Sequence, residues 1–173
     1  YGFNPTVSRW SNYHGGYFAV VDSMTKIVAA GAKYEDIRLT FQEYFEKLRD
    51  EATRWGKPFA AILGTIEAQR QFGIPAIGGK DSMSGSYQDI DVPPTLISFA
   101  VAPSTDDQIV SGTFAQSNSK ISVFVPTQNE DYLLDAENVK ESFTFISSID
   151  RTNVKSMMTV KFGGIAETLA NMA

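Results

Sequence analysis

The residues best equipped for chemistry in this sequence stand together as Gly78-Gly79-Lys80-Asp81-Ser82, inside the segment IPAIGGKDSMSGSY. Glycines let a backbone approach an anion closely, and an ammonium, a hydroxyl and backbone N–H groups are the donors that phosphate takes. A Walker loop is excluded, because it needs a glycine where Ile74 stands and a Ser or Thr where Asp81 stands. Two readings stay open: a loop that holds an anion, or a glycine-rich turn that only packs between strands.

Three further positions carry chemistry of the same kind. Asp22 and Lys26 lie one helical turn apart, either as a solvated ion pair or with Asp22 as a metal-ligand carboxylate facing a nucleotide. His14 is the only histidine and falls in the first turn of a predicted helix. Orphan N–H groups attract anions there, and a surface or packing role is the alternative. Gly163-Gly164 marks a predicted strand-to-helix junction, a second candidate anion site that close packing explains equally well.

The elements that must position these residues follow from hydrophobic spacing. Residues 1–12 read as an irregular lead-in. Asn12 then sits at an N-cap position before an apolar stripe of Tyr13, Tyr17, Val20, Val21, Met24, Ile27 and Val28 that Gly31 stops. Ile37 to Leu39 is a short predicted strand. Thr40-Phe41-Gln42-Glu43 has the form of a capping box, and Phe41, Tyr44, Phe45 and Leu48 predict a helix after it. The next helix has Pro58 in its first turn, buries Phe59, Ile62, Leu63 and Ile66, places Trp55 and Phe59 in the core, and closes at Gly73 and Pro75. Ile74–Ile77 and Leu96–Val101 read as buried strands of one sheet, with Gly78–Gly85 as a loop and 86–92 as an exposed connection.

Ala102–Gln108, rich in Pro, Ser, Thr and Asp, reads as a boundary. Beyond it, Ile109–Ala115 and Lys120–Val125 are predicted strands joined by a turn at Gln116–Ser119. A helix on Val139, Phe143, Ile146 and Ile149 follows, then a strand over Val154–Val160 and a helix from Gly163-Gly164. The order gives an α+β (α/β-layered) fold class, divided as 1–103 and 104–173.

Composition narrows the partners. The formal net charge is -5 and the basic residues are scattered singly, so no stripe exists to neutralise a nucleic-acid backbone. No apolar run approaches the roughly 20 residues that cross a bilayer. Cysteine is absent, which removes disulfides and thiolate metal sites and fits a reducing, cytoplasmic setting. The start at Tyr1 without a methionine, and an end still in helical pattern, read as those of a piece of a longer chain.

The run IPAIGGKDSMSG followed by PPTLISFAV closely resembles the large phosphoribosylformylglycinamidine synthases. The resemblance extends through YHGGYFAVVDSMTKIVAAGAKYEDIRLTFQEYFEKL, WGKPFAAILG and SMMTVKFGGIAETLANMA, and so covers most of the chain. It implies de novo purine biosynthesis: ATP, formylglycinamide ribonucleotide and ammonia from glutamine giving the amidine. It also implies the latter part of an aminoimidazole-ribonucleotide-synthetase-like N-type domain followed by the beginning of its C-type domain. The remaining domains of the parent chain, among them a first synthetase-like repeat and a glutaminase, are the implied partners, and the piece alone would not be catalytic.

Carried over by residue, the likeness implies nucleotide or ribonucleotide contacts at Gly78, Gly79, Lys80, Asp81 and Ser82, with Ser82 contacting substrate through its hydroxyl, and ATP or ADP as the nucleotide. Asp22 matches a helix carboxylate that helps hold Mg²⁺ at an accessory nucleotide site. Lys26 stands where those relatives carry an Asn ligand, and Met158–Gly164 keeps only the glycines of their His-Asp-x-Ser-Asp-Gly-Gly run. The expectation is an accessory pocket that binds nucleotide with little or no Mg²⁺, or is only structural. The alternatives are another ATP enzyme of the same superfamily, such as a cyclo-ligase or a selenophosphate-synthetase relative, and a non-catalytic scaffold domain.

Overall fold

The structure is a computed structural model that describes residues 1–173. The chain divides into two compact units, one of Tyr1–Met24 with Ile37–Val101 and one of Thr25–Asp36 with Ala102–Ala173. The first unit is a three-stranded sheet packed on helices. Helix α1 (Pro5–Trp10) opens it, capped by Asn4, whose side chain accepts from the N–H groups of Thr6 and Val7. The supposed irregular lead-in therefore contains a helix, set by an Asn-Pro start. Ahead of it, Gly2 exchanges two backbone hydrogen bonds with Ser98. Helix α2 (Asn12–Ala29) follows. Its cap is Ser11 rather than Asn12: the Ser11 hydroxyl accepts from the His14 N–H, while the Asn12 amide turns back to the Ser8 carbonyl.

The predicted helix after Thr40 does not form. Strand β1 (Arg38–Tyr44) runs through that segment instead. Leu39, Phe41, Glu43 and Phe45 alternate onto one face, and all but half-buried Phe41 are buried. Period two wins over the capping-box pattern because both neighbours of β1 are strands. Helix α3 (Ala52–Phe72) starts six residues before Pro58, so the proline lies inside it. It ends at Gly73 with φ 68°, a left-handed C-terminal stop. Its buried side is small: Pro58, Ala61, Gly64, Thr65 and Ala68, then Phe72. The predicted buried stripe is largely outside, with Phe59 66% and Trp55 58% exposed, and Leu63 and Ile66 exposed as well.

The small side is required by backbone proximity. A Cβ on Gly64 would collide with the Tyr13 carbonyl, and one on Gly16 with the Ala61 carbonyl, so α2 and α3 approach through glycines. Large side chains cannot fit that seam, which leaves them on the outer face.

Strand β2 (Ala76–Ser82) pairs parallel to β1, and β5 (Thr95–Val101) pairs antiparallel to it, in the order β2-β1-β5. The glycine-rich segment is thus an edge strand, not a loop, and Ile77 is exposed rather than buried. Two short strands, β3 (Ser86–Tyr87) and β4 (Ile90–Asp91), form a hairpin beyond it. Phe45 and Leu96 join Ala19 and Ala61 in the core, with Phe41, Ile62 and Met83 packed against them.

In the second unit, α4 (Ala136–Ser148) is capped by Asp135 and buries Val139 and Phe143. Helix α5 (Gly164–Met172) closes the chain. The strands predicted over 109–115, 120–125 and 154–160 are absent. Their backbones find only single partners, such as Met157 N–H to the Ser111 carbonyl and Phe114 N–H to the Met172 carbonyl. Ile121, Val123 and Val125 remain exposed. Alternation alone does not make a strand when no ladder partner lies alongside.

Candidate functional site

The pleat of β2 sorts the candidate residues onto two faces. Its register pairs Gly78 with Thr40, Gly79 with Phe41, Lys80 with Gln42, Asp81 with Glu43 and Ser82 with Tyr44. Phe41 packs toward the helices, so Gly79 and Asp81 share that side, while Lys80 and Ser82 share the opposite, open side with Gln42 and Tyr44. Both Lys80 and Asp81 are exposed, and the Ser82 hydroxyl lies 3.0 Å from that of Ser84.

Gly78 and Gly79 are extended, since positive φ among the glycines is confined to Gly31, Gly73 and Gly164. No concave nest of N–H groups forms. Glycine serves a different purpose here. A Cβ on Gly79 would stand 3.0 Å from the Phe41 carbonyl oxygen, so the bare residue lets β2 lie close to β1. The Ser82 carbonyl accepts from the Phe45 N–H at 3.0 Å, which turns the backbone groups of Ser82, Lys80 and Gly78 into the ladder. By alternation, those of Gly79 and Asp81 face the open edge of the sheet, where an anion can meet them.

Behind Asp81 sits a residue that sequence reasoning assigned to a helix cap. Glu43 is only 2% exposed, on the central strand, and its Oε1 has no hydrogen-bond partner. Burial, then the charge of Asp81, then a hydrogen bond with Asp81 raise its carboxyl from 4.5 to about 8. At neutral pH Glu43 therefore holds its proton, its carboxyl turned toward Asp81. The signal available in the sequence was the two-residue alternation Leu39, Phe41, Glu43, Phe45, which a carboxylate among apolar residues disguised.

The turn that follows β2 is fastened on both sides. Arg54 of α3 pairs with Asp91 at 2.7 Å, and the Ser86 hydroxyl donates to Asp91 while accepting from the Lys47 N–H. The hydrogen bonds from Arg54 and Ser86 lower the Asp91 carboxyl below its ordinary value.

The other candidates lie apart from this strand. His14 Nδ1 is 2.8 Å from the Ser11 hydroxyl, and its ring meets Tyr13 edge-on, so the imidazole belongs to the α1–α2 corner. Asp22 is half-buried on α2, next to the crossing of Gly2. No group of three or more His, Cys, Asp or Glu side chains gathers to hold a metal ion. Lys26 stands one turn further along the helix from Asp22. At Gly163 the N–H is taken by Oε2 of Glu167, at 2.6 Å, so a carboxylate of the chain itself fills that helix start. The Gly163-Gly164 junction, a candidate anion site by sequence, thus has one of its N–H donors occupied internally. No helix is long and apolar enough to cross a membrane.

No protein-family model matches the chain, and no curated protein matches it. Among solved structures it is similar to T. maritima PurL complexed with ATP, with a TM-score of 0.56 and 15% identity, over 95% of this chain and 27% of that one. The chain spans about a quarter of the length of that protein. At this identity the likeness concerns the fold, and the chain has the α+β architecture of the aminoimidazole-ribonucleotide-synthetase-like proteins.

Proposed function

We propose that this chain is a nucleotide-handling part of a large phosphoribosylformylglycinamidine synthase. The supporting observation is the placement of Lys80 and Ser82 on the open face of an edge strand, within a fold similar to that of a protein solved with ATP. In the proposed reaction the formamide oxygen of formylglycinamide ribonucleotide takes the γ-phosphoryl group of ATP, and ADP leaves. Ammonia, released with glutamate when glutamine is hydrolysed, then displaces phosphate and leaves the amidine.

The contribution of this chain is to hold and orient. The Lys80 ammonium meets a phosphate oxygen as a point charge, the Ser82 hydroxyl donates beside it, and the Gly79 N–H faces the same edge. The Asp81 side chain lies on the helix side of the strand, away from the Lys80 side from which phosphate approaches. The glutaminase and the first synthetase-like repeat are partners from the rest of the parent protein. No step is assigned to Mg²⁺ at Asp22.

A scaffold role is the second reading, favoured by Glu167, which occupies the N–H that a nucleotide phosphate would need at Gly163. The parent protein separates the two. Ribonucleotide-dependent release of ADP that is lost in Lys80→Ala supports the synthase. Unchanged turnover in that variant supports the scaffold.

A further inference from the structure

Among the stretches of the second unit that are patterned as strands yet form no ladder, Lys120–Val125 is the barest. No N–H or carbonyl of its backbone bonds to another backbone group. The chain makes no turn or bend between Ser119 and Thr127, so the run is extended, and every residue in it is exposed. Phe124 turns to helix α4, where its ring lies 5.8 Å from that of Phe145. By alternation Ile121, Val123 and Val125 share the opposite side, and they stay exposed.

Apolar side chains alone would accept any cover. The bare backbone is more demanding, because covering it takes a row of N–H and carbonyl groups out of water, and they then need partners. A helix has its own backbone groups paired within it and cannot supply them, whereas another strand can. Successive groups of an extended run point to opposite edges. Both edges of Lys120–Val125 are bare, which is the condition of an interior strand. A second copy brought up on a two-fold axis pairs one edge and leaves the other open. We propose that Lys120–Val125 is a docking strand that takes a β-strand from the rest of the parent protein along each edge. The strands taken up carry apolar, β-branched residues level with Ile121, Val123 and Val125, so that the cross-strand pairs make one apolar face. This rests on the reading of the chain as part of a larger synthase, whose solved neighbour in fold it covers over 27% of its length.

Hydrogen exchange read residue by residue tests this directly. In this chain the amides of Ile121–Val125 are expected to exchange at the rate of an unfolded chain, at every protein concentration. In the parent protein they are expected to be slowed about a thousandfold or more. Proline removes a ladder donor, and the donors of neighbouring residues face opposite edges. Ser122→Pro and Val123→Pro, made in the parent protein, are therefore each expected to speed exchange of the adjacent amides at least about tenfold. Exchange as fast in the parent protein as in this chain overturns the proposal. So does tolerance of either proline, which makes the run an edge strand. Slowing in this chain that grows with its concentration overturns it too, since a second copy is then the occupant. None of these readings involves turnover, so the docking strand and the synthase assignment can fail separately.

Discussion

Glu43 and Asp81 stand directly opposite each other on parallel strands β1 and β2, one almost wholly buried and the other exposed. Two carboxyls so placed cannot both ionise without repulsion across the ladder, and the buried one keeps the proton. The native state thus binds that proton more tightly than the unfolded chain does. Its contribution to stability is complete below pH 4.5, falls as pH rises, and is gone above about 8. The loss is on the order of 5 kcal/mol. Thermal melts across pH 4.5–9 are expected to show this decline in the wild type, and a much flatter profile in Glu43→Gln, which keeps a donor toward Asp81 without titrating. Parallel profiles in the two proteins contradict the assignment.

Glu46 is a second buried carboxyl, but this one has a cation: Lys57 Nζ donates to its Oε1 at 2.6 Å. Lys57→Met removes the partner and leaves the buried group uncompensated. A stability loss of about 2 kcal/mol is expected, scaled down from a fully buried pair because the lysine is partly exposed. Adding Glu46→Leu to that variant is expected to restore most of the loss. Urea unfolding of the two variants and the wild type measures both effects.

The α2–α3 contact tolerates no side chain at Gly64. Alanine there meets the Tyr13 carbonyl and must push the helices apart, at a cost of about 2–3 kcal/mol. A Gly64→Ala variant as stable as the wild type by calorimetry would mean the helices do not touch at that point.

Nucleotide binding is expected to depend little on Mg²⁺, because no cluster of carboxylates is available and Lys26 lies one turn from Asp22. ADP titrated with and without Mg²⁺ should give affinities within about threefold of each other, unchanged by Asp22→Ala. Strictly Mg²⁺-dependent binding that Asp22→Ala abolishes contradicts this.

How much of this was legible in the sequence depended on which signal each element carried. Helix α2 announced itself through an uninterrupted apolar stripe and a glycine stop, and the β5 segment through an apolar run after paired prolines. Strand β1 did not, because buried Glu43 breaks its alternation and the TFQE pattern imitates a helix start. On α3 the rule that large apolar residues lie inside failed. Gly16 and Gly64 bring two backbones so close that only small residues fit between them. For the candidate site, the residue types of Gly78–Ser82 were readable, but their division between two faces was not. That division follows from a strand pleat, and a glycine-rich run gives no alternation from which a strand could be recognised. Glu167 at the Gly163 N–H was equally invisible, since it depends on a side chain folding back over its own helix start.

Isothermal titration of ATP into the wild type and Lys80→Ala is the most direct test of the central claim, that strand β2 presents a phosphate-binding face. The account predicts saturable binding by the wild type, at least about tenfold weaker in the variant, with both proteins melting at the same temperature. Absence of binding by the wild type, or equal affinity in the variant, would contradict it.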